Sequence, residues 1–290
     1  MALLEALLFS TMTALGSPPC GSAERCKDAC REGDAAACEA VGRYHADSKV
    51  GVVLPDPSVS SDFYEESCDG GNLVGCMSLA RTLREGADTE PLRALGIYER
   101  TCRAEHPLAC LYAGEMYAVG EGLTQDHGRA FLYYDTACAL GNGDGCFRAG
   151  LALELGEGVR EDLEAAAEAY RRACDLDAVG ACTHLAHLHA RGRGLPRDEE
   201  RAEALYRQGC TAGDGNACAR LGHRHEEDHP AVAEALYERS CDGRHLEGCR
   251  LLGDLLRSER PEEARGAYSR GCELGDRVSC RRERRLERRM

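Results

Sequence analysis

The 290-residue chain is almost devoid of lysine: Lys27 and Lys49 are the only two, and arginine carries the rest of its 36 basic side chains. That removes most candidates for a catalytic or Schiff-base amine. Positive charge as a whole is in deficit, with 36 basic against 50 acidic residues and a formal charge of −14. Such a balance repels a phosphate backbone, and no basic stretch interleaved with aromatics occurs outside the last few residues, so no nucleic-acid partner is expected. No apolar run is long enough to span a bilayer, so no transmembrane segment is expected either. Catalytic motifs are missing too. No serine has a lysine three positions on, and Ser-Asp-Asn, Lys-Thr-Gly, Gly-x-Ser-x-Gly and Cys-x-x-Cys do not occur. What remains, 43% apolar and 30% charged residues, describes a soluble chain that is either globular or repetitive.

Against these shortages stand 18 cysteines, and their order is regular. Eight pairs share the spacing C-x7-C: Cys30/Cys38, Cys68/Cys76, Cys102/Cys110, Cys138/Cys146, Cys174/Cys182, Cys210/Cys218, Cys241/Cys249 and Cys272/Cys280. Leading cysteines recur every 31 to 38 residues, the period of a stack of two-helix units. A tyrosine stands four residues before seven of them: Tyr64, Tyr98, Tyr134, Tyr170, Tyr206, Tyr237 and Tyr268. Four residues after the second cysteine comes glycine or alanine (Gly42, Ala80, Gly114, Gly150, Ala186, Gly222, Gly253), where a missing side chain lets one helix lie close against its neighbour. Gly120-Glu121-Gly122, Gly156-Glu157-Gly158 and Gly192-Arg193-Gly194 precede Asp126, Asp162 and Asp198, which reads as a glycine helix stop followed by an aspartate cap. Each unit is therefore helix A, starting at the second cysteine, a glycine turn, then helix B, ending at the next leading cysteine. The last two units are shorter and lack the Gly-x-Gly turn.

Eight residues along one helix would separate Cα atoms by about 12 Å, whereas a disulfide needs about 4.4 to 6.8 Å. The chain must reverse between paired cysteines, and Gly with Asp or Asn at 141–144 and 213–216 supplies the turn. Disulfides are preferred to paired zinc ligands, because x7 is not a usual zinc spacing and zinc needs four donors.

The columns Y-x-x-x-C, C-x7-C, small residue at C+4 and G-x-G-[VL]-x-x-D resemble those of the Sel-like repeat (SLR) family, relatives of tetratricopeptide repeats. Segments such as ALYRQGCTAGDGNACARLG (204–222) are most similar to its disulfide-rich subclass, the Helicobacter-type cysteine-rich proteins. The resemblance covers about residues 30 to 280. It implies an all-α fold, an α/α solenoid (superhelix) of about seven disulfide-stapled helix-turn-helix repeats, exported to the periplasm or secreted. It also implies a scaffold that binds a protein or peptide. A cell-wall fragment on the concave face belongs to the same non-catalytic expectation, and the alternative is a penicillin-binding protein or weak β-lactamase hydrolase acting on a β-lactam, as some of the subclass have been described.

The expected organisation is a possible signal segment at 1–19, an N-terminal cap at 20–34, the repeat array at 35–280 and an Arg-rich capping tail at 281–290. The first segment has a short apolar run but no basic start, and Glu5 interrupts it. Cys20 is either lipidated or paired with Cys26. The tail RRERRLERRM carries a local charge of +4; it reads as a solvated capping helix, with docking on acidic lipid or a partner as the other use.

Two histidine patterns invite a metal reading. His225-Glu226-Glu227-Asp228-His229 matches H-E-x-x-H, but Pro230 disfavours helix at His229, so the two rings are not expected to share a face. His187 and His223 share one column and His189 and His225 another, from which metal or haem binding is a second alternative. The primary expectation is no cofactor and no catalytic residue. If the cysteine, C+3, C+4 and C+7 positions face inward, C+2 and C+5 lie on the concave face. They are occupied by Tyr112, Glu115, Arg148, His184, His187, Arg220 and His223, the candidate ligand contacts.

Overall fold

A computed structural model describes residues 23–46, 57–85 and 89–288, with side chains from Glu24 and Ser60 onward in the first two stretches. The segment at 1–19, Cys20 and most of the connection from Asp47 lie outside the described residues, as do the last two tail residues. Sixteen α-helices and no strand are present among the described residues. The chain divides into two compact units at Leu140. The first holds α1 (Ala23–Arg31), α2 (Ala35–Ala46), α3 (Pro57–Asp69), α4 (Leu73–Glu85), α5 (Pro91–Arg103), α6 (Pro107–Val119) and α7 (His127–Ala139). The second holds α8 (Gly143–Leu155), α9 (Leu163–Asp175), α10 (Ala181–Arg191), α11 (Glu199–Thr211), α12 (Gly215–His225), α13 (Pro230–Asp242), α14 (Leu246–Leu256), α15 (Pro261–Glu273) and α16 (Arg277–Glu287). Within each unit every helix packs against the next along the chain, which is the disulfide-stapled helix-turn-helix repeat of an α/α solenoid.

The stops and starts follow from local chemistry. Gly120 and Gly156 end α6 and α8 in the left-handed conformation, at φ 76° and 71°. Asp126, Asp162 and Asp198 then accept hydrogen bonds from the first-turn amides of α7, α9 and α11. Where the Gly-x-Gly turn is missing, α13 and α15 begin with Pro230 and Pro261, whose lack of an N–H costs nothing in a first turn.

Helix A starts earlier than expected. The second cysteine is not its first residue but lies inside its first turn, Cys110 three residues into α6 and Cys146 three residues into α8. The reason is the cap: Asn142, Asp214 and Asp276 accept backbone N–H groups of α8, α12 and α16 and so set the starts ahead of the cysteines. The leading cysteine closes the preceding helix B, and the reversal brings paired Cα atoms to between 4.4 and 4.8 Å. This holds for Cys30–Cys38, Cys68–Cys76 and Cys102–Cys110 in the first unit. In the second it holds for Cys174–Cys182, Cys210–Cys218, Cys241–Cys249 and Cys272–Cys280. Cys26, Cys138 and Cys146 are disulfide-bonded as well.

A second interlock joins helix A to the helix B that follows it. All seven tyrosines of the column are buried, and the five glycines of the small-residue column lie under their rings. A methyl group added to Gly114, Gly150 or Gly222 would stand 2.7 Å from the ring of Tyr134, Tyr170 or Tyr237, closer than carbon atoms approach. The core is thus tyrosine, cystine and alanine more than leucine. At the C-terminus Leu286 of α16 packs against the apolar cluster of Tyr237, Leu252 and Tyr268.

Gly150→Ala is expected to lower stability by about 1 to 3 kcal/mol, as overpacking does. The exposed Gly96 in α5 has nothing within 4 Å of an added Cβ, so Gly96→Ala is expected to raise stability by up to about 1 kcal/mol. Thermal unfolding of both variants under oxidising conditions checks the contrast.

Candidate functional site

In the second unit the C+2 and C+5 side chains of α10 and α12 converge. His184 and His187 from α10 and Arg220 from α12 line a cleft of about 190 Å³ with Thr183, Tyr206 and Asn216. Arg220 and His223 border an adjoining cleft of about 120 Å³ with Ala219, Glu247 and Leu251. Four of the seven expected contacts therefore form one strip.

The other three are placed differently. Arg148 is exposed on α8 and lines neither cleft. Tyr112 and Glu115 belong to the first unit, where the Tyr112 ring is 5.4 Å from that of Tyr98. Glu115 lies 3.6 Å from Arg84, which also donates to Glu121 at 2.9 Å. A salt-bridged carboxylate is already partnered, which the spacing of the column does not reveal.

The strip is held from beneath by aromatic rings and a carboxylate. His184 lies 5.1 Å from the ring of Tyr170 and 5.2 Å from that of Phe147. Its Nδ1 stands 3.5 Å from Glu154 Oε2, the oxygen to which the Tyr170 hydroxyl donates at 2.8 Å. Tyr237 likewise donates to Glu226 at 2.7 Å, and Glu226 also contacts His223 Nδ1 at 3.2 Å. Burial holds His187 below the ordinary histidine value, and the nearby Arg191 and Arg220 push in the same direction against Glu154. Burial raises the Tyr206 phenol. His187 is therefore a neutral imidazole at pH 7, a hydrogen-bond donor and acceptor rather than a charge.

Tyr206, Thr183 and Asn216 complete the cleft and were not among the expected contacts. Tyr206 reads in the sequence as a packing residue of the tyrosine column, and its hydroxyl emerges at the site because the ring is long. Asn216 precedes the cysteine by two, at a position with no repeated residue type to mark it.

The histidine patterns sort out by geometry. The rings of His225 and His229 do approach, with centroids 6.0 Å apart, although the chain leaves the helix between them. The turn folds His229 back over the end of α12. Among the described residues, the one group of three metal-type donors that converges is Cys30, Cys38 and Glu66, and both sulfurs are consumed in a disulfide. Among the described residues, the His187/His223 and His189/His225 columns bring no third donor to a common point.

A family model for the Sel1 repeat matches residues 35–72, 107–142, 143–177 and 179–214, half of the chain. Among solved structures, the chain is similar to a protective antigen of uropathogenic Escherichia coli that displays an SLR fold, at 20% identity over 93% of this chain and 68% of that one, with a TM-score of 0.57. A Sel1 repeat protein from Oxalobacter formigenes is 22% identical over 73% of this chain and 89% of its own, with a TM-score of 0.63. Cysteine rich protein B of Helicobacter pylori is 26% identical over 46% of this chain and 96% of its own, with a TM-score of 0.38. No curated protein matches the chain.

His187, His189 and His245 are all held low by burial. A depressed histidine stabilises the fold above the unfolded value near 6.5, and that contribution is lost as pH falls through the folded value, because only the unfolded chain takes up the proton readily. The thermal midpoint is expected to fall between pH 7 and pH 5, and to fall less in His187→Gln. The carboxylates of Glu168, Glu199 and Glu263, held low by arginines, add their loss only below about pH 4.5. Circular-dichroism melts across this range check the order.

Proposed function

Because the chain belongs to the Sel1 repeat family, we propose that it is an exported, non-catalytic scaffold that binds a protein or peptide on the face of its A helices in the second unit. The observation that carries this reading is the strip of His184, His187, Arg220 and His223 lining two adjoining clefts. The half-buried imidazoles of His184 and His187, the exposed Arg220 and the exposed His223 offer donors and acceptors at fixed spacing, which suits an extended polar chain. No lysine, serine or cysteine nucleophile lines either cleft, and Thr183 spends its hydroxyl on Asp214. This supports binding over hydrolysis of a β-lactam, as does the missing Ser-x-x-Lys.

Export is supported by the cystines. Disulfides persist in oxidising compartments and are rare where glutathione keeps thiols reduced. No helix among the described residues is long and apolar enough to cross a membrane.

A random peptide library panned against the oxidised protein is expected to yield binders whose affinity drops at least ten-fold on Arg220→Glu, an exposed position whose change leaves the fold intact. Failure to enrich any sequence, or turnover of a chromogenic β-lactam that Arg220→Glu abolishes, would overturn the reading. Intact mass after thiol alkylation tests the compartment separately. Protein from its native source is expected to take up no alkylating label until reduced, and material with free thiols would refute export.

A further inference from the structure

The tyrosine column of the second unit contains an internal comparison. Tyr170, Tyr237 and Tyr268 each donate their hydroxyl to a carboxylate, Glu154, Glu226 and Asp254, at 2.7 to 2.8 Å. Tyr206 has no such acceptor among the described residues. Glu154 and Glu226 stand eight residues after their second cysteine, and the matching position after Cys182 is Ala190, followed by Arg191. After Cys249 that position is Arg257, and Tyr268 finds its acid at Asp254 instead, so the cleft opens at the repeat of the second unit whose tyrosine has neither, with a methyl group at Ala190.

Around this gap the acids are paired and two arginines are not. Arg191 and Arg220 both lie near enough to His187 and Tyr206 to act on their ionisation. Neither arginine forms an ion pair among the described residues, on a chain with a formal charge of −14. The acids nearby are already engaged. Glu154 receives Tyr170 and faces His184 and Arg193, Glu199 is bridged by Arg197 and Arg224, and Asp214 accepts from Thr183 and from the Asn216 amide.

We propose that the cleft between His187, Tyr206 and Arg220 is a carboxylate-binding site, in which the ligand supplies the acid that this repeat lacks. The proposal rests on the peptide-scaffold reading and names the group that is recognised. The carboxylate oxygens take the Tyr206 hydroxyl and the guanidinium of Arg220, with Arg191 contributing charge and Asn216 a neutral donor at the wall. A carboxylate suits this site better than a phosphate dianion. Its planar pair of oxygens matches a guanidinium fork, and the amides at the start of α12, the natural phosphate donors, are already capped by the negatively charged Asp214. A cleft of about 190 Å³ holds one small residue and no more.

The test uses small probes on the full oxidised chain, read by the imidazole NMR signals of His184 and His187. N-acetyl-alanine, with a free α-carboxylate, and N-acetyl-aspartic acid α-amide, with only the side-chain carboxylate, are compared with N-acetyl-alanine amide and inorganic phosphate. Either carboxylate is expected to shift the signals with at least ten-fold higher affinity than the amide, and the stronger of the two identifies a chain end or an acidic side chain as the source. Arg220→Ala and Tyr206→Phe are expected to weaken it, the second leaving the buried ring in place. Equal titration by acid and amide, tighter binding of phosphate, an unchanged Tyr206→Phe and Arg220→Ala, or no shift with any probe would each overturn the carboxylate site. Peptides from panning that still bind with their carboxylates amidated would overturn this site while leaving the scaffold reading standing.

Discussion

The chain reversal between each B helix and the following A helix is the constraint on which the rest of the structure depends. Helices of 9 to 13 residues are too short to persist alone in water. A core built from tyrosine, alanine and glycine buries little aliphatic surface to hold them together. A cystine closing a loop of nine residues removes about 2.5 kcal/mol of unfolded-state freedom by the chain-entropy argument, and the repeat uses that term once per turn. With successive reversals pinned, the tyrosine one helical turn before one pair's leading cysteine and the small residue one turn after the preceding pair's second cysteine are fixed at matching heights. Tyr170 then covers Gly150 and Tyr268 covers Gly253, so helix A grips B through a ring while B grips the next A through sulfur.

This alternation also makes the candidate site. A tyrosine long enough to cross above a glycine carries its hydroxyl to the outer face of helix A, where it must find an acceptor or water. Glu154, Glu226 and Asp254 accept it in three repeats of the second unit, and the same carboxylates position His184, His223 and Arg282 on that face. A packing device thus sets the positions of the polar side chains. Where the acid is missing, at Ala190, the hydroxyl borders a cleft that water reaches, so the cost of leaving it unpaired is far below that of a sealed donor.

Much of this was legible in the residues. The C-x7-C spacing with its tyrosine and small-residue columns describes the helix pairs, and the caps at Asp126, Asp162 and Asp198 mark the B-helix starts, because backbone geometry admits few residue types there. The A-helix starts were misplaced, since the cysteine spacing is a more visible signal than a single Asn142 or Asp214 cap. The site was half legible. The C+2 and C+5 columns contain His184, His187, Arg220 and His223, but a column cannot tell that Arg84 reaches Glu115, a contact set by side chains 31 residues apart. His225 and His229 show the converse: Pro230 argues against a shared helical face, and a turn outside any helix still brings the rings together.

Tyr206 was hidden for a reason that extends to other repeat proteins. Position in a column reads as a structural role, and for the ring it is one. The signal behind the proposed site lies in the partner column, where Glu154, Ala190, Glu226 and Arg257 share no constant residue type. A repeat that retains its tyrosine but loses the matching acid keeps its packing, as the burial of Tyr206 and Ala186 shows. What it loses is an internal acid: Arg191 and Arg220 act on the Tyr206 phenol and form no ion pair among the described residues, which is the ground of the proposed carboxylate site. Searching tandem repeats for a missing internal partner is therefore a physical criterion for a binding site. It depends on one hydrogen bond made in the neighbouring units and unmade in this one.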